Sequence, residues 1–218
     1  MKHKSIRDEV TFDMQAAAIS EHEDRIIIDK DEEKYLPVSA VYGPNGGGKS
    51  NVLAALHTLV AKVLRPLLAT EDSEEKVLLQ RKIIVEPFAF SKSKDEPTEF
   101  ELFFRTTVSE YRYILHVKRD IVLYESLDRV KLETGRKSAL FTRDENGIVL
   151  KGAFAKLKVS DELSKTLTLL SYLGIAYKGN AVVKDVLSWF EYGIEFLNYG
   201  NPIQELKMAV STSVSYTH

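Results

Sequence analysis

Eight consecutive residues, Gly43-Pro44-Asn45-Gly46-Gly47-Gly48-Lys49-Ser50, satisfy the pattern G-x-x-x-x-G-K-[ST] at every fixed position. The chemistry such a run serves is the holding of a polyphosphate. Glycine at 43, 46, 47 and 48 admits backbone angles that a side chain forbids, so successive N–H groups can turn toward one anion. A helix that starts near Lys49 aims the positive end of its dipole at the same place. The Lys49 ammonium can reach the β- and γ-phosphates, which makes it the candidate catalytic group. The Ser50 hydroxyl can complete the shell of a Mg²⁺ ion alongside waters, which makes it the candidate metal ligand.

A strand before such a loop and a helix after it confirm the motif, and the flanking residues spell both. Pro37-Val38-Ser39-Ala40-Val41-Tyr42 is an apolar run that stops at glycine and predicts a buried strand. After the loop, Val52, Leu53, Leu56, Leu59, Val60, Val63 and Leu64 recur at three and four residues, one face of a helix from Ser50 to Leu64. Pro66 disfavours the helical conformation at Arg65 and predicts the end of the helix there. Upstream, Arg25–Asp29 reads as a strand and Asp31-Glu32-Glu33 as a solvated turn.

A second helix is expected over Asp72–Gln80. The middle of the chain alternates like strands. Phe100, Leu102 and Phe104 share one face, as do Tyr111, Tyr113, Leu115 and Val117, with Ser109-Glu110 as the turn of an antiparallel hairpin. Ile121–Glu125, Ala139–Thr142 and Ile148–Leu150 continue the meander around a turn at Asp144-Glu145-Asn146-Gly147. The last quarter turns helical, over Asp161–Leu173 and Ala181–Phe190.

The bulk properties fit this reading and exclude others. A chain of 218 residues holds one large domain, or one with an appendage, and buries about 70% of the surface its unfolded form exposes. Cysteine is absent, which excludes a disulfide framework, a thiol nucleophile, a thiolate zinc site and an iron–sulfur cluster. Thirty basic against 32 acidic side chains leave no global basicity to advertise nucleic acid. No apolar run reaches the roughly 18 residues of a membrane helix, and the basic start has no apolar signal core, so the expected location is the cytoplasm.

With Asn45 inside it and Asn51 after it, the loop resembles that of ABC-type ATPases of the chromosome-maintenance and recombination class. The chain more closely resembles a bacterial group of AAA/ABC-like ATPases found with abortive-infection and phage-defence genes. That likeness rests on Lys4-Ser5-Ile6-Arg7-Asp8-Glu9-Val10, Leu36–Tyr42, Glu86-Pro87-Phe88-Ala89-Phe90 and Glu96–Glu101. The resemblance implies an α/β P-loop NTPase: the N-terminal lobe of an ABC-type ATPase over residues 1–158, with an antiparallel β region. A helical segment over 159–218 would lead toward a further C-terminal half. It implies ATP and Mg²⁺ as cofactors, adds Asn51 to the binding set, and matches Lys4, Ser5 and Arg7 to a segment near the nucleotide, where they read first as an ordinary strand start and second as nucleotide contacts. It implies ATP-driven pairing of two heads through the nucleotide face as a homodimer. The alternative is a regulatory module that senses ATP without hydrolysing it and signals to an effector such as a nuclease.

In that class a Walker B strand ends in Asp-Glu and a serine-containing signature closes the site from the partner. No apolar run in the chain ends in Asp-Glu, and the signature does not occur. The partial echoes are Ile121-Val122-Leu123-Tyr124-Glu125, Ile26-Ile27-Ile28-Asp29 and Leu170-Ser171-Tyr172-Leu173-Gly174, of which the last reads as helix packing. Hydrolysis is therefore expected of the complete protein and little of this chain by itself. Gln80 is a candidate water-sensing glutamine. His57 reads as packing or surface, and Trp189-Phe190 with Tyr192 and Phe196 as the apolar face of a terminal helix. Lys118-Arg119 and the basic stretch Arg129–Lys137 read as solvated turns, with nucleic-acid contact as the lesser alternative.

Overall fold

The computed structural model describes residues 9–17, 23–29, 32–68, 96–160 and 163–196. The helix expected over Asp72–Gln80, with Gln80 itself, lies outside the described residues, as do Lys4, Ser5, Arg7 and Glu86–Phe90.

Two sheets, three α-helices and two short 3-10 turns (Glu23–Arg25 and Gly152–Phe154) make up the described structure. A short hairpin pairs β1 (Ile27–Ile28) with β2 (Lys34–Tyr35), and Gln15 bridges to Tyr35 beside it. Helix α1 (Lys49–Leu68) follows the glycine loop. An antiparallel meander of β3 (Thr98–Arg105), β4 (Ser109–Lys118), β5 (Ile121–Lys131), β6 (Lys137–Asp144) and β7 (Gly147–Leu150) forms the main sheet in simple sequence order. Helices α2 (Leu169–Ala176) and α3 (Ala181–Tyr192) come last.

The alternation read from the sequence sets the register. Phe100 pairs with Leu115, Leu102 with Tyr113, and Phe104 with Tyr111, so the apolar positions of both strands share the inner face. Phe103, one residue out of phase, is 62% exposed on the other face. The hairpin turn falls at 106–108 rather than at Ser109-Glu110. The Thr106 hydroxyl takes the Ser109 N–H at 3.1 Å and closes a tighter turn, which frees Ser109 and Glu110 to extend β4.

A register shift in β5 opposite His116/Val117 decides the fate of the apolar run before Glu125. It turns Val122 and Glu125 inward, whereas Ile121 and Leu123 remain 40% and 43% exposed. An antiparallel sheet strand of this kind is half solvated, unlike the buried strand that an apolar run of four suggests.

The inner face of the sheet is covered by the helices. Leu59, Val60 and Val63 of α1, Leu169, Leu170 and Leu173 of α2, and Val183, Val186 and Phe190 of α3 join Phe104, Tyr113, Leu115 and Phe141 in one core. Trp189 and Phe190 pack on Phe104 with ring centroids 4.6 and 5.5 Å away. The packing role expected of this aromatic pair is the one they have; Tyr192 stays exposed.

Two helix boundaries differ from expectation. α1 runs on through Pro66 to Leu68, because the proline lies in the last turn and Leu67 beyond it packs on the core. A Cβ on Gly174 would come within 2.6 Å of Leu187 and closer still to Leu67, so glycine there allows three helices to meet. α2 begins only at Leu169, because residues 163–168 are tied to the sheet in an irregular strap: Val122 N–H donates to the Lys165 carbonyl at 2.8 Å. One face assignment also changes. Leu53, expected on the apolar face of α1, is 58% exposed, and Ala55 is buried instead.

Candidate functional site

The loop at 43–50 has the backbone that its glycines permit. Gly46 and Gly48 sit at φ of +81° and +86°, where a side chain is strained, and they turn the chain into the first residue of α1. Gly47 N–H closes on the Pro44 carbonyl at 3.1 Å and Asn51 N–H on the Gly48 carbonyl at 2.9 Å. The first amides of a helix have no intrahelical partner, and those of α1 open toward this turn. Lys49 arches back over the loop, its ammonium donating to the carbonyls of Gly43 and Pro44 at 2.8 Å each. A cation, a helix N-terminus and a glycine turn thus converge on one exposed spot that suits an oxyanion.

The expected buried strand before the loop is not what the structure holds. Residues 38–42 form no strand, and Val38, Val41 and Tyr42 are 77%, 47% and 88% exposed. A parallel strand is buried only between neighbouring strands, and the described residues supply none on either side of it. Ser50 and Asn51 open α1 directly after the loop. No group of three or more histidine, cysteine or acidic side chains that could hold a metal occurs among the described residues.

Both acids that end apolar runs are engaged elsewhere. Asp29, at the end of β1, pairs with the Arg105 guanidinium, which also reaches Glu110 at 3.1 Å. This network pins the small hairpin to the edge of the main sheet. Glu125 is fully buried. Its carboxylate accepts from the backbone N–H of Leu169 at 2.6 Å and of Leu170 at 2.9 Å, the first residues of α2. The Tyr113 hydroxyl donates to it at 3.0 Å, and Arg143 lies 4.0 Å away. Burial pushes the Glu125 carboxyl above the usual carboxylate range, and the two amides, Tyr113 and Arg143 oppose that push. Burial also pushes the Tyr113 phenol well up, with the Glu125 charge adding to it.

This carboxylate is a structural anchor. It caps α2 together with Thr168, whose hydroxyl accepts from Ser171 N–H at 3.1 Å. The Ser171 hydroxyl in turn donates to the Val63 carbonyl of α1 at 2.6 Å. Val63 lies about 14 residues along α1 from Lys49, roughly 21 Å at 1.5 Å per residue. The α2 turn that Glu125 caps therefore meets α1 well away from the glycine loop.

The remaining candidates fall where packing puts them. His57 sits edge-on to Phe196, with centroids 5.0 Å apart. Ser171 and Gly174 of the Leu170–Gly174 segment are buried in the helix layer. Nothing in the local sequence singles out Arg143, which donates to the carbonyls of Leu167 and Ser164 at 2.6 and 3.1 Å and holds the strap before α2. Lys62 is a second functional-looking group that sequence reasoning passes over. It is nearly buried, its ammonium donates to the Asp120 carbonyl at 2.8 Å, and burial lowers its pKa. The one signal for it is its place on the apolar side of α1.

Among the described residues no helix is long and apolar enough to cross a membrane. Residues 38–183, about two thirds of the chain, match the family model described as "AAA domain, putative AbiEii toxin, Type IV TA system". No curated protein and no solved structure matches the chain.

Proposed function

The chain belongs to this AAA-domain family, and on that premise we propose that residues 43–51 bind ATP with Mg²⁺. One observation carries the proposal: the Gly46 and Gly48 backbone and the Lys49 ammonium meet at the N-terminus of a 20-residue helix. The loop amides and Lys49 hold the β- and γ-phosphates, the Ser50 hydroxyl holds the metal, and Asn45 and Asn51 flank the phosphates. Lys49 also meets the charge that develops on the γ-phosphoryl group if the site turns over. Its two bonds to Gly43 and Pro44 are exchanged for phosphate oxygens on binding, so the ammonium is already turned toward the loop before the nucleotide arrives.

Calorimetric titration of MgATP into the chain tests this. Lys49→Ala removes a charge-assisted contact worth roughly 1.5–3 kcal/mol, so affinity falls about 10- to 150-fold. The side chain reaches only loop carbonyls, and the variant retains its melting temperature. Unchanged affinity in a folded Lys49→Ala chain overturns the assignment.

A second reading concerns the fate of bound ATP. Orientation of a water molecule needs an acid or a glutamine beside the γ-phosphate, and Gln80 lies outside the described residues. Asp29 is paired with Arg105, and Glu125 caps α2, whose Ser171 meets α1 at Val63, roughly 21 Å from Lys49 by the helix rise. These engagements favour a module that senses ATP and passes its state on over one that hydrolyses it unaided. Pairing of two heads and contact with an effector such as a nuclease belong to the same reading, on family likeness.

A further inference from the structure

Between Lys151 and Lys184 the chain carries six lysines, at 151, 156, 158, 165, 178 and 184, against two acids, Asp161 and Glu162. The whole chain has more acids than bases, so positive charge is concentrated here against an acidic remainder. All six lysines are exposed, and no ion pair among the described residues engages them.

The fold gathers four of them. The Tyr177 hydroxyl donates to the Lys158 carbonyl at 2.7 Å and accepts from the Lys158 N–H at 2.8 Å. Ser160 N–H donates to the Tyr172 hydroxyl at 3.3 Å. Residues 156–160 thus run antiparallel to α2, with Lys156 and Lys158 toward its C-terminal end. Lys178 comes directly after that end, and Lys184 lies in the first turn of α3, its N–H closed on Asn180 at 2.9 Å. The acid next to it, Asp185, is turned away into bonds from the Tyr111 and Thr106 hydroxyls at 2.6 and 3.0 Å.

We propose that Lys156, Lys158, Lys178 and Lys184 form a docking surface for the phosphodiester backbone of a nucleic acid. Separate, unpaired, flexible point charges suit a row of phosphates better than one enclosed anion, which calls for a fork or a nest. A lipid surface fits less well. Basic membrane sites also insert apolar side chains, and no large hydrophobic residue between 151 and 184 is exposed among the described residues. The surface is independent of the phosphate loop and requires no nucleotide.

Fluorescence anisotropy of a labelled DNA duplex of roughly 20 base pairs, titrated with the chain, tests the assignment. Four phosphate contacts predict a log–log salt slope near −3.6, about a 150-fold loss of affinity between about 50 and about 200 mM salt. Changing Lys156, Lys158, Lys178 and Lys184 together to Glu should lower affinity by more than about 30-fold at the lower salt. Changing Lys131, Arg136 and Lys137 to Glu, at the β5–β6 turn, should lower it by less than about 3-fold. If the quadruple variant does not melt cooperatively, Lys156→Gln and Lys178→Gln singly replace it, each flattening the slope by about 0.9. Absence of binding at the lower salt overturns the proposal. So do equal losses in the two sets, an unchanged slope in the single variants, or a preference for phosphatidylserine vesicles over DNA.

Discussion

Replacing Glu125 by alanine separates a structural acid from one that serves a nucleotide. The substitution strands three buried donors at once: the N–H groups of Leu169 and Leu170 and the Tyr113 hydroxyl. It also leaves Arg143, itself only 8% exposed, facing an empty space where a carboxylate lay 4.0 Å away. A buried donor left unmet costs about 1–3 kcal/mol, and breaking a buried charged cluster from one side typically costs about 3–5 kcal/mol. Against this stands the cost of holding a carboxylate in the core, which its raised pKa expresses and which alanine relieves. The net expectation is a loss of about 3–5 kcal/mol, or a drop in Tm of roughly 6–20 °C for a chain of this size. Thermal unfolding followed by circular dichroism reads it, with MgATP affinity measured well below the transition. Affinity should be unchanged within about 2-fold, because the helix that the carboxylate caps meets α1 at Val63, roughly 21 Å from Lys49. A Tm shift under about 2 °C combined with loss of nucleotide binding would refute the reasoning and return Glu125 to the nucleotide site.

The same geometry sets three further outcomes. Because the folded pKa of Glu125 lies above its unfolded value of 4.5, its contribution is full below that pH and declines as pH rises through the folded pKa. The stability gap between the native chain and Glu125→Gln should therefore shrink as denaturant titrations move from about pH 4 to about pH 7.5, and a gap that widens contradicts the sign. Gly174→Ala should cost about 1–3 kcal/mol by pressing Leu67 and Leu187 apart, read as a lower denaturation midpoint with an unchanged slope; a neutral result would mean that α1 and α2 are free to separate. Steady-state ATP hydrolysis by the chain alone should stay close to background, since an orienting acid commonly supplies about 10²–10⁴-fold; turnover abolished by Lys49→Ala would show that an acid serves the loop after all.

The glycine turn and the helix that follows it were legible without a structure, because their constraint is local. Gly46 and Gly48 need positive φ, Lys49 needs to reach back, and Ser50 needs to open a helix, all within eight residues. The inner faces of β3 and β4 were legible for a similar reason. A period of two fixes which side chains share a face, whatever lies opposite. Where the reading failed, the deciding contact lay far along the chain. Pro66 did not end α1, because Leu67 finds its place against Gly174, more than a hundred residues on. The run at 38–42 reads as a buried strand, but burial is conferred by neighbouring strands, and its side chains face outward among the described residues. Glu125 shows the same division most sharply. Four apolar residues and an acid have one meaning beside a nucleotide and another beneath a helix. Only the β5 register shift and the arrival of α2, 44 residues later, make that acid a cap rather than a catalyst.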